Sequence, residues 1–138
     1  MVSQPTSQEW PRSVVSRASP KPNILETALE KHFASPRFRA FLVVHEYEGF
    51  AFSDPTITAR VLLDPAKATL LQAERNRFAS AEDVNDGQTT NPARRILRHF
   101  PAYKKTVFGP VIVNAIGLAK LRAECAHFNE WLGRLETV

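Results

Sequence analysis

The sequence contains a single cysteine, Cys125, which by itself can form neither an internal disulfide nor a complete cysteine zinc site. It also lacks an apolar run close to the roughly 18 residues of a membrane-spanning helix. Its start shows no basic segment followed by an apolar block, the pattern of a secretory signal. We therefore expect a cytoplasmic protein that has no membrane partner.

The remaining composition is that of one soluble globular domain. The 138 residues are 43% hydrophobic and 23% charged, and the chain is long enough to bury a core. The net charge of +4 modestly favours a polyanionic partner. Residues 1–22 contain four of the ten prolines and show no periodicity, so we predict a disordered tail over 1–22 and a single domain over 23–138.

Capping and breaking signals predict one strand among several helices. Residues 38–46 form the best strand candidate, and its centre is apolar on both faces, which is typical of a strand that is covered on both sides. The predicted helices span 24–34, 55–62, 66–78, 92–99, 109–116, 118–124 and 126–136, with a loop at 80–92. The predicted fold class is α/β, helix-rich, with few strands and a helical C-terminal half. Because a doubly covered strand needs neighbours, either the tail contains strands that its pattern does not reveal or part of the domain is missing.

Three titratable residues, His45, Glu46 and Glu48, stand where the predicted strand ends. Glu46 and Glu48 are two positions apart and would share one face of an extended chain, while His45 would point to the other face. Carboxylates at a strand end can hold Mg²⁺, which prefers oxygen ligands. The alternative is a solvated strand end in which His45 is simply hydrogen-bonded.

The segment "EDVNDG" at 82–87 is the second polar block. Its side-chain oxygens suit an ion or the groups around it, and we expect Asn85 and Asp86 to lie near Glu46 and Glu48. The alternative is a plain turn in which Asp86 bonds only to its own backbone. The calcium-loop pattern is absent from this segment.

A basic stretch, "NPARRILRHFPAYKK", follows this loop. Arg94 and Arg98 are four apart and share a helix face, and the start of the helix is positive. Forked guanidinium donors near a helix start suit phosphate. The alternative is a solvated helix face. The predicted nucleic-acid-binding residues are Arg94, Arg95, Arg98, Lys104 and Lys105.

Four ordered blocks of the sequence resemble a known family. They are "HEYEGFAFSDP", "EDVNDGQTTNPARRIL", "FPAYKKTVFGPVIVNAIGL" and "LRAECAHFNEWLGRLE". In order and spacing they are similar to family 4276 of the domains of unknown function, in which the corresponding wording is "HEFEALLFSDP", "EDINDGPETAPSKRL", "FPGYKKVLDGPLIAEEIGL" and "IRAKCPHFNEWL". The resemblance covers about residues 38–136.

The resemblance implies a bacterial, Toprim-like, Mg²⁺-dependent nuclease-type protein that works beside an ATPase in defence against phage. It implies catalytic roles for His45, Glu46 and Glu48, metal binding by Glu46 and Glu48, and supporting roles for Asp54, Asn85 and Asp86. The acidic motif at the start of the family, which resembles "VEGxTEE", is absent here. We therefore expect a partial Toprim-like domain, equivalent to the C-terminal part of a family member, that is not catalytic alone.

Two alternatives to this interpretation stay open. One is a non-catalytic module that binds a partner ATPase or nucleic acid. The other is a truncated gene product without a function of its own.

Overall fold

All regular secondary structure in the described part of the chain is helical. The computed structural model describes residues 21–43, 46–85 and 91–138, and in these ranges no β-strand occurs. The predicted α/β, partial Toprim-like fold is therefore wrong for this part of the chain, which is all-α. The α-helices are α1 (Pro22–Phe33), α2 (Pro55–Val61), α3 (Ala68–Arg75), α4 (Pro92–His99), α5 (Lys105–Ile116), α6 (Leu118–Glu124) and α7 (Ala126–Glu136), with 3₁₀ helices at Tyr47–Ser53, Pro65–Lys67 and Ala81–Asp83.

The predicted strand at 38–46 has no regular secondary structure where it is described. Two of its backbone N–H groups are bound by glutamate side chains instead of a neighbouring strand. Ala40 donates to a carboxylate oxygen of Glu30 at 2.9 Å, and Leu42 donates to one of Glu26 at 2.6 Å. Two glutamates one turn apart on α1 thus take the place of a sheet neighbour, which satisfies backbone donors that burial would otherwise leave unpaired.

Aromatic packing explains why this segment is apolar. The ring of Phe41 lies 5.0 Å from that of Trp131 and 5.7 Å from that of Phe128, both on α7. Phe50, in the first 3₁₀ helix, reaches Phe128 from another side at 5.3 Å between centroids. Phe41 is therefore covered by α7, whereas Val43 at the end of the described part of the segment is 44% exposed.

Local capping signals predicted several helix ends correctly. Asp54 accepts a hydrogen bond from the Ile57 N–H at 3.0 Å at the start of α2, and Asn91 accepts one from the Arg94 N–H at 3.0 Å at the start of α4. Gly117, with φ of 83°, separates α5 from α6. The helix expected at 109–116 begins four residues earlier, at Lys105.

The first helix begins slightly before its predicted start. The helix predicted at 24–34 spans Pro22–Phe33, with proline at its first position. The predicted tail at 1–22 lies outside the described residues up to residue 20.

The core lies between the first 3₁₀ helix and the helices α2 to α6. The 3₁₀ segment itself is buried over most of its length, so it is a central element and not a connection. The buried apolar cluster comprises Ala51, Phe52, Ala59, Leu71, Ala81, Val84, Ile96, Phe100, Tyr103, Ile112 and Cys125.

No single helix in the described ranges is both long and apolar enough to cross a membrane. The pair formed by α5 and α6 reaches that length and apolarity together, with a bend of 90° between the two helices.

Candidate functional site

Glu46 and Glu48, which we call the acidic segment (residues 46–48), contact different helices. Glu46 lies just before the first 3₁₀ helix, in extended conformation, and its carboxylate accepts a hydrogen bond from the Ala93 N–H at 3.0 Å. Ala93 is in the first turn of α4, where backbone N–H groups have no partner within the helix and attract negative charge. Glu46 therefore anchors the start of α4 to the acidic segment.

Glu48 is inside the 3₁₀ helix and only 2% exposed. One carboxylate oxygen accepts a hydrogen bond from the Tyr103 hydroxyl at 3.4 Å. The other lies 3.1 Å from the Lys105 ammonium, as an ion pair without the alignment of a hydrogen bond. Burial, together with this neighbouring carboxylate, raises the pKa of Tyr103 far above its usual value, so the phenol stays protonated and donates to Glu48.

Both predicted Mg²⁺ ligands, Glu46 and Glu48, lie in the described part of the chain. Glu46 and Glu48 do not share a strand face, because the backbone turns into a 3₁₀ helix between them. Within the described ranges no group of three histidine, cysteine or acidic side chains is placed to hold a metal ion. His45 lies outside the described residues, and the Mg²⁺ site stays a prediction.

The structure describes Asp54 and the first four residues of the second polar block. Asp54 caps α2 and also lines an open, polar cleft of about 470 Å³. Asn85 is half-buried just after the third 3₁₀ helix, whereas Asp86 lies outside the described residues. A Cβ atom added at Gly49 would lie 4.0 Å from the Cα atom of Glu82, the first residue of the block. The closeness of Asn85 and Asp86 to Glu46 and Glu48 stays a prediction.

Glu82, in the second polar block, has a structural role that the sequence did not indicate. Its two carboxylate oxygens accept hydrogen bonds from the N–H groups of His127 and Phe128, at 2.9 and 2.8 Å. These N–H groups belong to the first turn of α7, whose own N-cap, Cys125, makes no side-chain cap. Glu82 therefore caps α7 from a distance of about 45 positions in the chain.

The basic helix α4 divides its arginines between core and surface. Arg95 is only 1% exposed, is bonded to the Glu74 carboxylate and lies over the Phe78 ring at 5.1 Å. Arg98 is half-exposed and reaches the other oxygen of Glu74 at 3.3 Å. Arg94 is exposed, and among the described residues it has no ion-pair partner. The grouping of Arg95 with the nucleic-acid-binding residues thus conflicts with its burial.

The expected contribution of the α4 N-terminus to phosphate binding is also reduced by the structure. The N–H of Ala93 is bound by Glu46, and the N–H of Arg94 is bound by Asn91. Both donors are already satisfied, so a phosphate at this face would depend on side chains. Lys104 and Lys105 are exposed just beyond α4, and the Lys105 ammonium forms an ion pair with the Glu48 carboxylate.

Three glutamates that bind distant parts of the chain were not predicted from the sequence. Glu74 is buried on α3 where it meets α4, and Glu26 and Glu30 bind the segment after α1. Each falls on the apolar side of its helix, next to Leu71, Leu25 or Leu29 in the helical repeat. An acidic residue at a core position was the available signal, because a buried charge needs a partner.

Comparisons with known proteins give a family and no nearer relative. No curated protein matches the chain, and no solved structure matches it. The model of one family, described as "Domain of unknown function (DUF4276)", matches residues 7–136. This match begins further towards the N-terminus than the resemblance at 38–136. Since the family model covers far more than half of the sequence, the chain belongs to this family of domains of unknown function.

Proposed function

We propose that this chain is a non-catalytic module that binds nucleic-acid phosphate through the exposed arginines of α4. The observation that carries the proposal is the division of the α4 arginines. Arg95 faces inward to Glu74, while Arg94 and Arg98, one turn apart, are exposed on the surface of the helix. Two guanidinium groups at this spacing can each make forked hydrogen bonds to phosphate oxygens.

The absence of catalysis is supported by the partners of the acidic residues. Glu46 anchors α4, and Glu48 is buried against Tyr103 and Lys105. Each carboxylate is bound to other parts of the fold, and a catalytic role would require it to break these contacts. A binding module needs neither residue at its surface.

Binding is expected to be weak, independent of sequence and strongly dependent on salt, because phosphate contacts release counterions. Fluorescence anisotropy with labelled single-stranded and duplex oligonucleotides at low and high salt measures this. The double variant Arg94→Gln/Arg98→Gln should bind about tenfold more weakly at low salt, with a salt slope smaller by about 1 to 2.

The matched control is Lys31→Gln/Arg37→Gln, which removes the same charge from two exposed positions in α1 and the segment after it. This variant should keep most of the affinity. Equal losses in the two double variants would indicate a net-charge effect, and sequence-selective binding that survives high salt would also contradict the proposal.

Weak Mg²⁺ binding is the second expectation at this site. Because Glu46 and Glu48 have separate protein partners, calorimetric titration with Mg²⁺ or Mn²⁺ should give an affinity of roughly millimolar or weaker. Micromolar affinity that Glu46→Gln abolishes would contradict this expectation and restore an autonomous metal site.

The partner ATPase, the nuclease activity of the parent family, the role in phage defence and the cytoplasmic location stay predictions of the sequence and its resemblance. The Toprim-like scaffold is not among them, because the described chain is all-α.

A further inference from the structure

The polar cleft that Asp54 lines is formed by the start of α2, the end of α3 and by α6, and we call it the α2–α3–α6 cleft. Its volume of about 470 Å³ falls within the range of small-molecule sites, which is roughly 300–1,000 Å³. Phe52 is the only aromatic residue in its lining and is 1% exposed, so no ring is available on which a nucleobase or a sugar could stack. An occupant would therefore be recognised by polar and charged groups.

Two of the helices give the cleft a net positive charge. Arg75 on α3 and Lys120 on α6 both form ion pairs with Glu124, at 3.0 and 3.2 Å, and these two cations and one carboxylate leave one positive charge. The Arg75 side chain is only 14% exposed, and its Nε atom is buried without a hydrogen-bond partner. Because a buried donor without an acceptor is costly, this part of the cleft is suited to a further oxyanion.

The start of α2 supplies the opposite charge. One carboxylate oxygen of Asp54 accepts the hydrogen bond from the Ile57 N–H, and no described residue donates to the other. In the described part of the chain, Asp54 also forms no ion pair with Arg75 or Lys120, whose carboxylate partner is Glu124. The cleft therefore presents a negative charge and a net positive charge at separate places.

We propose that the α2–α3–α6 cleft binds a small zwitterion, with its oxyanion beside Arg75 and Lys120 and its ammonium group beside Asp54. A free amino acid is the simplest molecule of this class. An anion alone would leave Asp54 without a partner, and a cation alone would leave the positive charge without one. This proposal does not depend on the proposed binding of nucleic acid, because it concerns different residues.

Binding can be followed at two amides that line the cleft. The side chains of Gln72 and Asn76 are bonded to each other at 2.7 Å, and their NH₂ groups give signals in ¹⁵N-correlated NMR spectra. Titration of the full chain with L-serine or with O-phosphoethanolamine should shift these signals. Acetate and ethylamine, which carry only one of the two charges, should bind at least about fivefold more weakly. Binding of either zwitterion supports the proposal, and the comparison shows whether the cleft takes a carboxylate or a phosphate.

Two variants separate the two charges of the ligand. Lys120→Gln removes a cation that is 46% exposed, and Asp54→Asn removes the negative charge but keeps an oxygen that can still cap α2. Each should weaken the binding of the zwitterion by about five- to tenfold. The matched control Lys31→Gln removes an exposed cation from α1 and should leave the affinity unchanged.

Three outcomes would overturn the proposal. The first is that neither zwitterion shifts the amide signals of Gln72 and Asn76. The second is that acetate or ethylamine binds as tightly as the zwitterions. The third is that Lys120→Gln and Asp54→Asn, with helical circular dichroism spectra like that of the wild type, bind with unchanged affinity.

Discussion

Replacement of Arg95 by alanine is expected to lower the free energy of unfolding by about 3–5 kcal/mol, because it leaves the buried Glu74 without its main partner. The substitution also opens a cavity, since Arg95 is the largest of the fully buried side chains. Urea unfolding followed by circular dichroism measures the change as a lower midpoint at an unchanged slope.

The matched control acts on the same carboxylate from the surface. Arg98→Ala removes a half-exposed guanidinium from Glu74 and should cost no more than about 1 kcal/mol. Glu74→Gln should be destabilising, because the guanidinium groups of Arg95 and Arg98 both lose the charge of this carboxylate. If Arg95→Ala and Arg98→Ala cost the same, burial does not determine the strength of these pairs and our account of α4 is wrong.

Replacement of Glu82 by alanine is expected to cost about 2–3 kcal/mol, because two backbone N–H groups of α7 lose a charged acceptor at once. The loss should be concentrated at the C-terminus of the chain. Amide hydrogen exchange should show faster exchange in the first turn of α7 than in α2, whose cap is supplied by Asp54.

The neighbouring residue is the control for this prediction. Asp83 is exposed and accepts a hydrogen bond only from the Ser80 hydroxyl among its described contacts, so Asp83→Ala should change stability by about 0.5 kcal/mol or less. Glu82→Gln should have an intermediate effect, since the amide oxygen can still accept from one N–H group. A loss for Asp83→Ala as large as that for Glu82→Ala would show that the loop as a whole, and not the remote cap, stabilises α7.

Within the candidate site, features set by local spacing could be predicted from the sequence, whereas contacts between distant segments could not. The spacing of Arg94 and Arg98 correctly placed them on one exposed face of α4. The burial of Arg95 depends on Glu74, which is 21 positions away on another helix. Glu82 was assigned to a possible ion site because its partners, the first backbone N–H groups of α7, are likewise distant in the sequence.

The sequence by itself determined the features whose causes are local. A capping side chain next to a proline started α2 and α4, glycine separated α5 from α6, and four family blocks identified the family. These signals act within a few residues, so no knowledge of the tertiary structure is needed to interpret them.

Only the tertiary structure decided whether the apolar segment at 38–46 is a strand. An apolar run has the same appearance in the sequence whether a sheet or a helix covers it, because burial does not depend on the partner. The distinction lies in the acceptors of the backbone N–H groups. For Leu42 and Ala40 the acceptors are the carboxylates of Glu26 and Glu30, 16 and 10 positions earlier in the chain, and not the carbonyls of a neighbouring strand.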